Sequence, residues 1–365
     1  MPAETLSVFW HDDVLGHDTG YGIFSGPPSE MLAYQDRHPE NPERIANMKR
    51  TLEKGPVASH LTWQQGRHAS DSEILAWHTP AHLELLNAHD AKGHRFSPST
   101  PMVPGSMKAI RAAAGTAIAA MEAVLSGKSR MAHALVRPPG HHAAPAQVDG
   151  YCFVNNIGVA CERALASGME RIAVVDWDVH HGNGTQEGFY ERDDVLTISL
   201  HMDHGSWGPT HLQTGGVEER GRGKGTGYNV NIPLPFGIGD AGYALAWETI
   251  VAPRVRQHKP DIIVIANGQD ANQNDPNGRQ CVTVKGFHRL GTLARALATD
   301  LTGGKLLSVQ EGGYQLSYAA LCSHAAIEGL LGLPLKTEDT VSFLPDDAVA
   351  AKVAIARIRG NLGET

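Results

Sequence analysis

The segment DWDVHHGNGTQ, residues 176–186, contains two carboxylates and two imidazoles directly after the apolar run IAVV. In an extended chain alternate residues share one face, so Asp176, Asp178 and His180 can point the same way. Charged groups buried at a strand end are costly unless they pair with one another or hold an ion. The cluster therefore favours a metal site over a salt-bridged strand end.

A further metal ligand is expected at another strand end. A catalytic zinc takes three protein ligands from His, Asp and Glu and keeps one position open for water. Asp178 and His180 supply two, and Asp270, which follows the apolar run DIIVIAN, is placed to be the third. The alternative for Asp270 is the N-cap of a helix. Iron(II) could replace zinc, because an O,N,O ligand set is not strongly selective.

The dipeptide His141-His142 follows the turn-forming sequence RPPG. Adjacent imidazoles on a loop could act as a general base and as an electrostatic partner for a metal-activated water. A pair of histidines alone more often lies on the surface. Here Asp176 and Asn183 can accept hydrogen bonds from the far N–H of the two rings and so fix their tautomers. These two hydrogen-bond partners favour a catalytic pair of histidines whose rings differ in proton affinity.

The sequence EGGY, residues 311–314, places two glycines before Tyr314 at the end of another apolar run. Glycine lets the chain turn sharply toward a pocket, and a phenol there could donate a hydrogen bond to a developing oxyanion. A lone tyrosine more often belongs to the core or to a pocket rim. The other candidate residues give this one its catalytic interpretation.

The elements that must position these residues are strands and helices in alternation. Six short apolar runs predict strands, at 131–136, 171–178, 195–201, 228–234, 261–267 and 305–311. Alanine-rich segments with helical spacing lie between several of them, at 107–127, 155–168, 242–258 and 286–301. This pattern predicts an α/β fold with a mostly parallel sheet covered on both faces. The active site of such a sheet lies beyond the carboxyl ends of its strands, where loops at 11–44 and 202–226 could wall a pocket.

The composition is that of a globular enzyme. The 365 residues are 41% hydrophobic and 19% charged, with a net charge of −8 and no run of Lys or Arg. We therefore expect neither nucleic acid nor a membrane as a partner. The sequence MPAETLSVFWHDD lacks the regions of a signal peptide, and no run approaches the roughly 20 apolar residues of a spanning helix. These features predict a cytoplasmic protein whose four cysteines are reduced.

Together these motifs resemble the histone deacetylase family, which has the arginase–deacetylase fold. In chain order they are HPENPERI (38–45), RPPGHHA, GYCFVNN, DWDVHHGNGTQ, SLH, GQDAN, DP and EGGY. Asn183 stands where class I members carry Asp, so the chain is similar to the class II branch and to bacterial histone deacetylase-like and acetylpolyamine amidohydrolases. The resemblance implies one catalytic domain over residues 1–365, in three layers, with residues 1–45 shaping the pocket entrance.

The resemblance also implies the chemistry of the site. Asp178, His180 and Asp270 would hold zinc, His142 would be the general base, and His141 would steady charge with Asp176. Tyr314 would polarise the carbonyl of an acyl amide, which an activated water hydrolyses to acetate and a free amine. Gly150 and Tyr151 would wall a tunnel for an acyl-lysine-like chain, and Trp207 lies near the position of the second tunnel aromatic.

Structural potassium is a further implication of the resemblance. One site would use Asp176, Ser199 and the main-chain carbonyls of Asp178, His180 and Leu200. A second site would use the carbonyls of Phe189, Arg192, Val195 and Tyr228. The family's bacterial members also lead us to expect a homo-oligomer, a dimer or a tetramer, in which the long N-terminal loop packs against a second subunit.

Several residues depart from the family pattern. Gln269 replaces an aromatic before Asp270, and Asn277 follows DP where Leu or Met is usual. Asn277, Asn272 and Arg279 predict a polar pocket rim, so a small amide or an acetylated polyamine is at least as likely a substrate as acetyl-lysine in a protein. The alternatives are a ureohydrolase-like enzyme with two metal ions and a non-catalytic binder of acyl-amines.

Overall fold

The computed structural model describes residues 5–205 and 214–363. At its centre is an eight-stranded sheet in which all neighbouring strands run parallel. In chain order the strands are β1 (Leu6–Trp10), β2 (Leu61–Gln65), β3 (Met131–Ala134), β4 (Ile172–Asp176), β5 (Val195–Met202), β6 (Asn229–Leu234), β7 (Ile262–Asn267) and β8 (Leu306–Gln310). Their spatial order is β6-β5-β4-β7-β8-β3-β1-β2. The six predicted strands and the parallel sheet are confirmed.

Helices cover both faces of this sheet. They are α1 (Pro42–Lys54), α2 (Asp71–Ile74), α3 (Pro80–Asp90), α4 (Ser106–Leu125), α5 (Asn156–Ala166), α6 (Asn183–Phe189), α7 (Asp240–Ala246), α8 (Ala252–His258), α9 (Val284–Thr302), α10 (Tyr318–Leu330) and α11 (Ala348–Leu362). Alternate strand residues face opposite layers: Val175 and Ile263 pack mainly with α1 and α7–α11, whereas Val174 and Val264 pack mainly with α2–α6. The predicted three-layer α/β architecture is therefore confirmed.

The predicted helix at 242–258 is divided in the structure. A π-helical turn, Trp247–Val251, separates α7 from α8, and Pro253 is the second residue of α8. Proline has no N–H to donate to the preceding turn, and a wider turn accommodates that missing hydrogen bond. Among the described residues, no helix combines the length and apolar composition that crossing a membrane requires.

The N-terminal segment is fixed to the end of β3 by a buried arginine. Arg137 donates to the carbonyl oxygens of Val14, His17 and Glu40, and its Nε lies 2.8 Å from a carboxylate oxygen of Glu40. Arg137 and Glu40 are fully buried, so this pair joins the predicted loop at 11–44 to the sheet. The loop contains a short 3-10 helix and a two-stranded hairpin and ends where α1 begins.

Candidate active site

The candidate residues follow four strands that are adjacent in the sheet. The chain runs from β4 outward through β5 to β6 and then returns to the other side of β4 as β7, so the strand order reverses between β4 and β7. Ligand sites of parallel sheets form at such a reversal, beyond the carboxyl ends of the strands. Asp178 and His180 follow β4 and Asp270 follows β7, while His141 and Tyr314 follow the nearby strands β3 and β8.

Asp178, His180 and Asp270 meet in one buried cluster. His180 Nδ1 lies 3.2 Å from Asp178 Oδ1 and 3.0 Å from Asp270 Oδ2. Both carboxylates are fully buried, and His180 is 8% exposed. Asp270 Oδ1 accepts the N–H of Val179, and Asp270 lies in a turn and not at a helix start. The N-cap alternative for Asp270 is therefore wrong.

The cluster fits a divalent metal ion. One ligand atom from each of the three residues lies within 4.8 Å of the others, and an O,N,O donor set suits zinc or iron(II). Burial lowers the pKa of His180, but the hydrogen bonds and charges of Asp178 and Asp270 outweigh it and raise this pKa to about 10. The two buried carboxylates therefore stabilise a positive charge placed between them. A Cβ at Gly312 would lie 2.1 Å from Asp270 Oδ2, so only glycine leaves room for this arrangement.

A second group of potential ligands lies apart from this cluster. His11, Asp13 and His68 also bring their donor atoms within 4.8 Å, but all three are partly or well exposed. Lys108 Nζ lies 2.8 Å from Asp13 Oδ1, so a cation already compensates this carboxylate. Within the described residues, the buried potential ligands therefore form a single group of three.

The adjacent imidazoles have different partners. His141 Nδ1 lies 2.8 Å from Asp176 Oδ2, whereas His142 Nδ1 lies 2.6 Å from Asn183 Oδ1. Asp176 was grouped in sequence with the metal ligands, but its side chain bonds His141 and stands outside the cluster.

The surroundings of the two rings give them opposite proton affinities. Burial lowers the pKa of His141, but the charges of Asp178 and Asp176 outweigh it and raise this pKa well above its usual value. Burial, together with the charges of His141 and His180, holds the pKa of His142 well below its usual value. At neutral pH His141 therefore carries the positive charge, and His142 is a neutral ring that can accept a proton.

Tyr314 is held at the rim of the cluster by its main chain. Its N–H donates to Asp275 Oδ2 at 2.7 Å, and the Arg44 guanidinium carbon lies 5.0 Å from the centre of its ring. Burial raises the pKa of Tyr314 well above its usual value, and the charges of Asp270 and Asp178 raise it further. The side chain thus stays a phenol that can donate a hydrogen bond.

The predicted tunnel residues Gly150 and Tyr151 lie beside the histidine pair. Both have positive φ, 49° and 70°, and a Cβ at Gly150 would lie 2.3 Å from His142 Cδ2. The Tyr151 ring contacts His38 at 5.1 Å and Tyr314 at 5.6 Å between ring centres. Trp207, the other predicted tunnel residue, lies outside the described residues.

The polar rim is only partly as predicted. Asn277 Nδ2 lies 3.4 Å from the Tyr151 hydroxyl, so this amide is beside a predicted tunnel residue, and Arg279 is exposed nearby. Asn272 is only 1% exposed and donates to the carbonyl of Gln269, and Gln269 itself is fully buried. The prediction that Asn272 lines the rim was wrong, because its side chain turns inward and bonds a main-chain carbonyl.

Several residues predicted for potassium lie on or beside β5, which neighbours β4 on the side away from β7. Asp176 pairs in register with Ser199 on β5, and Ser199 Oγ lies 2.9 Å from His201 Nδ1. For the second predicted site, the carbonyl of Phe189 accepts from the N–H of Arg192, and the carbonyl of Tyr228 accepts from the N–H of Thr197. Two other predicted contributors, Leu200 and Val195, are buried residues of β5.

Three residues that support the site were missed in sequence. Glu311 Oε2 accepts the N–H groups of Gly140 and His141 and so fixes the loop that carries the histidine pair. Asp275 holds Tyr314, as described above, and Asp149 Oδ2 accepts from Asn183 Nδ2 at 2.9 Å. Glu311 and Asp275 stand within recognised motifs, whereas nothing in the sequence around Asp149 signals its contact.

Comparison with known proteins decides the family. Residues 38–330, which include every described site residue named above from Arg44 to Tyr314, match the histone deacetylase domain. The chain belongs to the histone deacetylase family. Histone deacetylase 8 of Arabidopsis thaliana is 46% identical over 364 residues, covering 98% of this chain and 97% of that relative.

Two further similarities extend this result. The histone deacetylase-like amidohydrolase of Pseudomonas aeruginosa is 42% identical over 304 residues, covering 83% of this chain and 79% of that protein. The crystal structure of an HDA15 HD domain superposes with a TM-score of 0.83 at 31% identity, covering 98% of this chain and 95% of that one. The histone deacetylase fold is therefore confirmed, and this family member is a hydrolase that acts on amide bonds.

Proposed function

We propose that this histone deacetylase family member is a zinc-dependent deacetylase that hydrolyses an acetyl or other small acyl amide. The proposal rests on one juxtaposition: a buried O,N,O donor set beside two imidazoles of opposite proton affinity. Zinc, when bound by Asp178, His180 and Asp270, supplies a Lewis acid that polarises the acyl carbonyl and makes the attacking water more acidic. Iron(II) in the same ligands would supply similar chemistry.

The protein's own side chains then move the proton and stabilise the negative charge that develops on the substrate. His142, neutral before the reaction, accepts a proton from the attacking water as the C–O bond forms. His141, charged through Asp176, lies beside the negative charge that develops on the acyl oxygen, and the Tyr314 phenol donates a hydrogen bond to that oxygen. When the C–N bond breaks, the imidazolium of His142 returns its proton to the leaving amine, giving a carboxylate and a free amine.

The proposed substrate is a small acetylated amine, an acetylpolyamine included, in preference to acetyl-lysine within a protein. Asn277 beside the Tyr151 hydroxyl supports this choice, because it puts an amide where an apolar side chain would favour a hydrocarbon stem. The test is steady-state kinetics with acetylputrescine, a simple anilide and a fluorogenic acetyl-lysine peptide amide. A kcat/KM for the peptide far above the values for the small amides would contradict the substrate proposal.

One metal ion per chain is part of the same proposal. A ureohydrolase-like enzyme needs additional carboxylates to bridge a second metal, and the described residues offer one buried group of three potential ligands. Elemental analysis of the purified protein is expected to give one zinc or iron per chain. Two tightly bound ions that both depend on Asp178 and Asp270 would favour the ureohydrolase-like alternative.

We also propose that potassium binds at the two predicted carbonyl-rich positions and that the protein is a homo-oligomer. The in-register pair of Asp176 and Ser199 supports the first potassium site. Exposed apolar side chains in the N-terminal loop, with Met31 at 94% and Tyr34 at 91% exposure, support a surface that a second subunit covers.

A further inference from the structure

The second imidazole, His142, lies at one end of a three-residue chain. Its Nδ1 is 2.6 Å from Asn183 Oδ1, and Asn183 Nδ2 donates to Asp149 Oδ2 at 2.9 Å. The other imidazole, His141, bonds the carboxylate of Asp176 directly. Each ring therefore has a carboxylate behind it, but the one behind His142 acts through an amide.

An amide can present either of two faces to a histidine. Its oxygen accepts a hydrogen bond and its NH₂ group donates one, and a rotation of 180° exchanges them. A carboxylate can only accept. Because Asp149 accepts from the NH₂ group of Asn183, the amide oxygen must face His142.

The orientation of the amide decides which ring nitrogen of His142 carries the proton. Facing the oxygen of Asn183, Nδ1 must be the donor, so Nε2 is the nitrogen with the free lone pair. If the amide were reversed, its NH₂ group would face Nδ1 and the proton would move to Nε2. That tautomer could not accept a proton through Nε2.

We propose that Asp149 is a positioning residue that selects the basic tautomer of His142 by orienting Asn183. This inference rests on the proposed function, since it assigns His142 as the base. The backbone supports it: Asp149 and Cys152 exchange N–H···O bonds at 3.2 and 2.7 Å, which closes a turn. The same turn brings Gly150 against the His142 ring, so one short segment sets both the position and the tautomer of the base.

The test is Asp149→Asn in two backgrounds. In the first background Asn183 is unchanged, and an asparagine at position 149 no longer fixes the orientation of the Asn183 amide. The kcat of this holoenzyme for an acetylated substrate is expected to fall about tenfold with little change in KM. In the Asn183→Asp background the same change is expected to cost less than about twofold, because a carboxylate at 183 accepts in either orientation. An equal loss in both backgrounds, or a loss confined to KM, would overturn the proposal.

The matched control is Asp300→Asn, which removes an exposed carboxylate on α9. It is expected to leave kcat within about twofold of the wild type. Metal content and Tm are measured for every variant, so that a loss of folding or of metal is separated from a loss of the basic tautomer. A control that falls as far as Asp149→Asn would assign the effect to net charge and overturn the positioning role.

A spectroscopic measurement needs neither turnover nor a folded Asp149 variant. The ¹⁵N spectrum of the zinc-loaded protein with labelled imidazoles, assigned by the signal lost in His142→Gln, is expected to show His142 protonated at Nδ1 only. Protonation at Nε2 would overturn the proposal. If no acyl amide is hydrolysed but the Nδ1 tautomer is present, the proposed function fails while the tautomer selection stands.

Discussion

Two adjacent imidazoles in one buried site carry different charge because their surroundings differ. Asp178 and Asp176 stabilise the imidazolium of His141, whereas burial and then the charge of His141 lower the pKa of His142. Replacing Asp176 with Asn removes the anion that holds the proton on His141. We expect kcat to fall about 100-fold or more, as for the loss of other groups that stabilise transition-state charge. Steady-state kinetics on metal-replete protein measures this, and an unchanged kcat would refute the role of the Asp176–His141 pair.

The phenol of Tyr314 is predicted to act mainly in the transition state. Tyr314→Phe keeps the ring that packs on Arg44 and Tyr151 but removes the donor to the acyl oxygen. We expect kcat to fall about 100- to 1000-fold with KM and metal content retained. Steady-state kinetics and elemental analysis of both proteins measure this. A rise in KM with an intact kcat would make Tyr314 a substrate-binding residue instead.

Asn277 is predicted to tune the choice of substrate. Asn277→Leu replaces the amide beside the Tyr151 hydroxyl with an apolar side chain that suits the hydrocarbon stem of lysine. We expect the ratio of kcat/KM for an acetyl-lysine peptide to that for acetylputrescine to rise about tenfold, a change of about 1.4 kcal/mol in relative transition-state binding. An unchanged ratio would mean that Asn277 does not contact the bound chain.

At the residue scale, side chains that belong to a recognisable motif could be predicted from the sequence. Side chains whose role depends only on a contact with a residue distant in the chain could not. Asp270 was placed with His180 because it follows a long apolar strand, although it is 90 residues away in the chain. Asp149 was missed because a lone aspartate in a loop gives no sign of the amide that it orients. Asn272 was misplaced on the rim, since the sequence does not show that its side chain turns inward to bond the main chain.

At the element scale, a buried polar pair between two strands makes the stability of the sheet depend on pH. His133 on β3 is fully buried in register with Ser308 on β8, and its Nδ1 lies 3.0 Å from Ser308 Oγ. Burial lowers the pKa of His133 to about 4, from 6.5 for an unperturbed histidine. The folded protein therefore holds this ring neutral, while the unfolded chain takes up a proton as the pH falls below 6.5.

His133 is consequently predicted to make stability fall in acid. Its contribution is fully present above pH 6.5 and is lost progressively between pH 6.5 and 4, which amounts to about 2 kcal/mol between pH 7 and pH 5. In His133→Leu the free energy of unfolding should fall by that much less over the same interval, while Asn267 still donates to Ser308 Oγ. Urea unfolding at several pH values measures this, and identical pH dependence in both proteins would contradict it.

Strand prediction succeeded in the centre of the sheet and failed at one edge. The runs at β4, β7 and β8 are buried on both faces and read as continuous apolar segments. The edge strand β2, LTWQQ, is partly exposed along its length, and its buried neighbour β1 was missed with it. A half-polar segment such as β2 resembles a loop in sequence, because the strand that it pairs with lies more than 50 residues away in the chain.

At the scale of the whole molecule, one parallel sheet joins every element that carries the site. The prediction of a single domain over residues 1–365 therefore implies one cooperative unfolding transition. Calorimetry and tryptophan fluorescence are expected to give coincident transitions, with a midpoint that rises when zinc is added to metal-free protein. Two separated transitions would contradict the single domain.

The measurement that tests the account most directly combines metal content with turnover. The wild type and Asp178→Asn are purified in parallel, their zinc and iron content is determined, and hydrolysis of acetylputrescine, an anilide and an acetyl-lysine peptide amide is followed. We predict one metal ion per wild-type chain, turnover of at least one amide in proportion to metal content, and loss of both metal and turnover in Asp178→Asn. Full turnover by metal-free protein, or by Asp178→Asn, would contradict the proposed metal-dependent deacetylase.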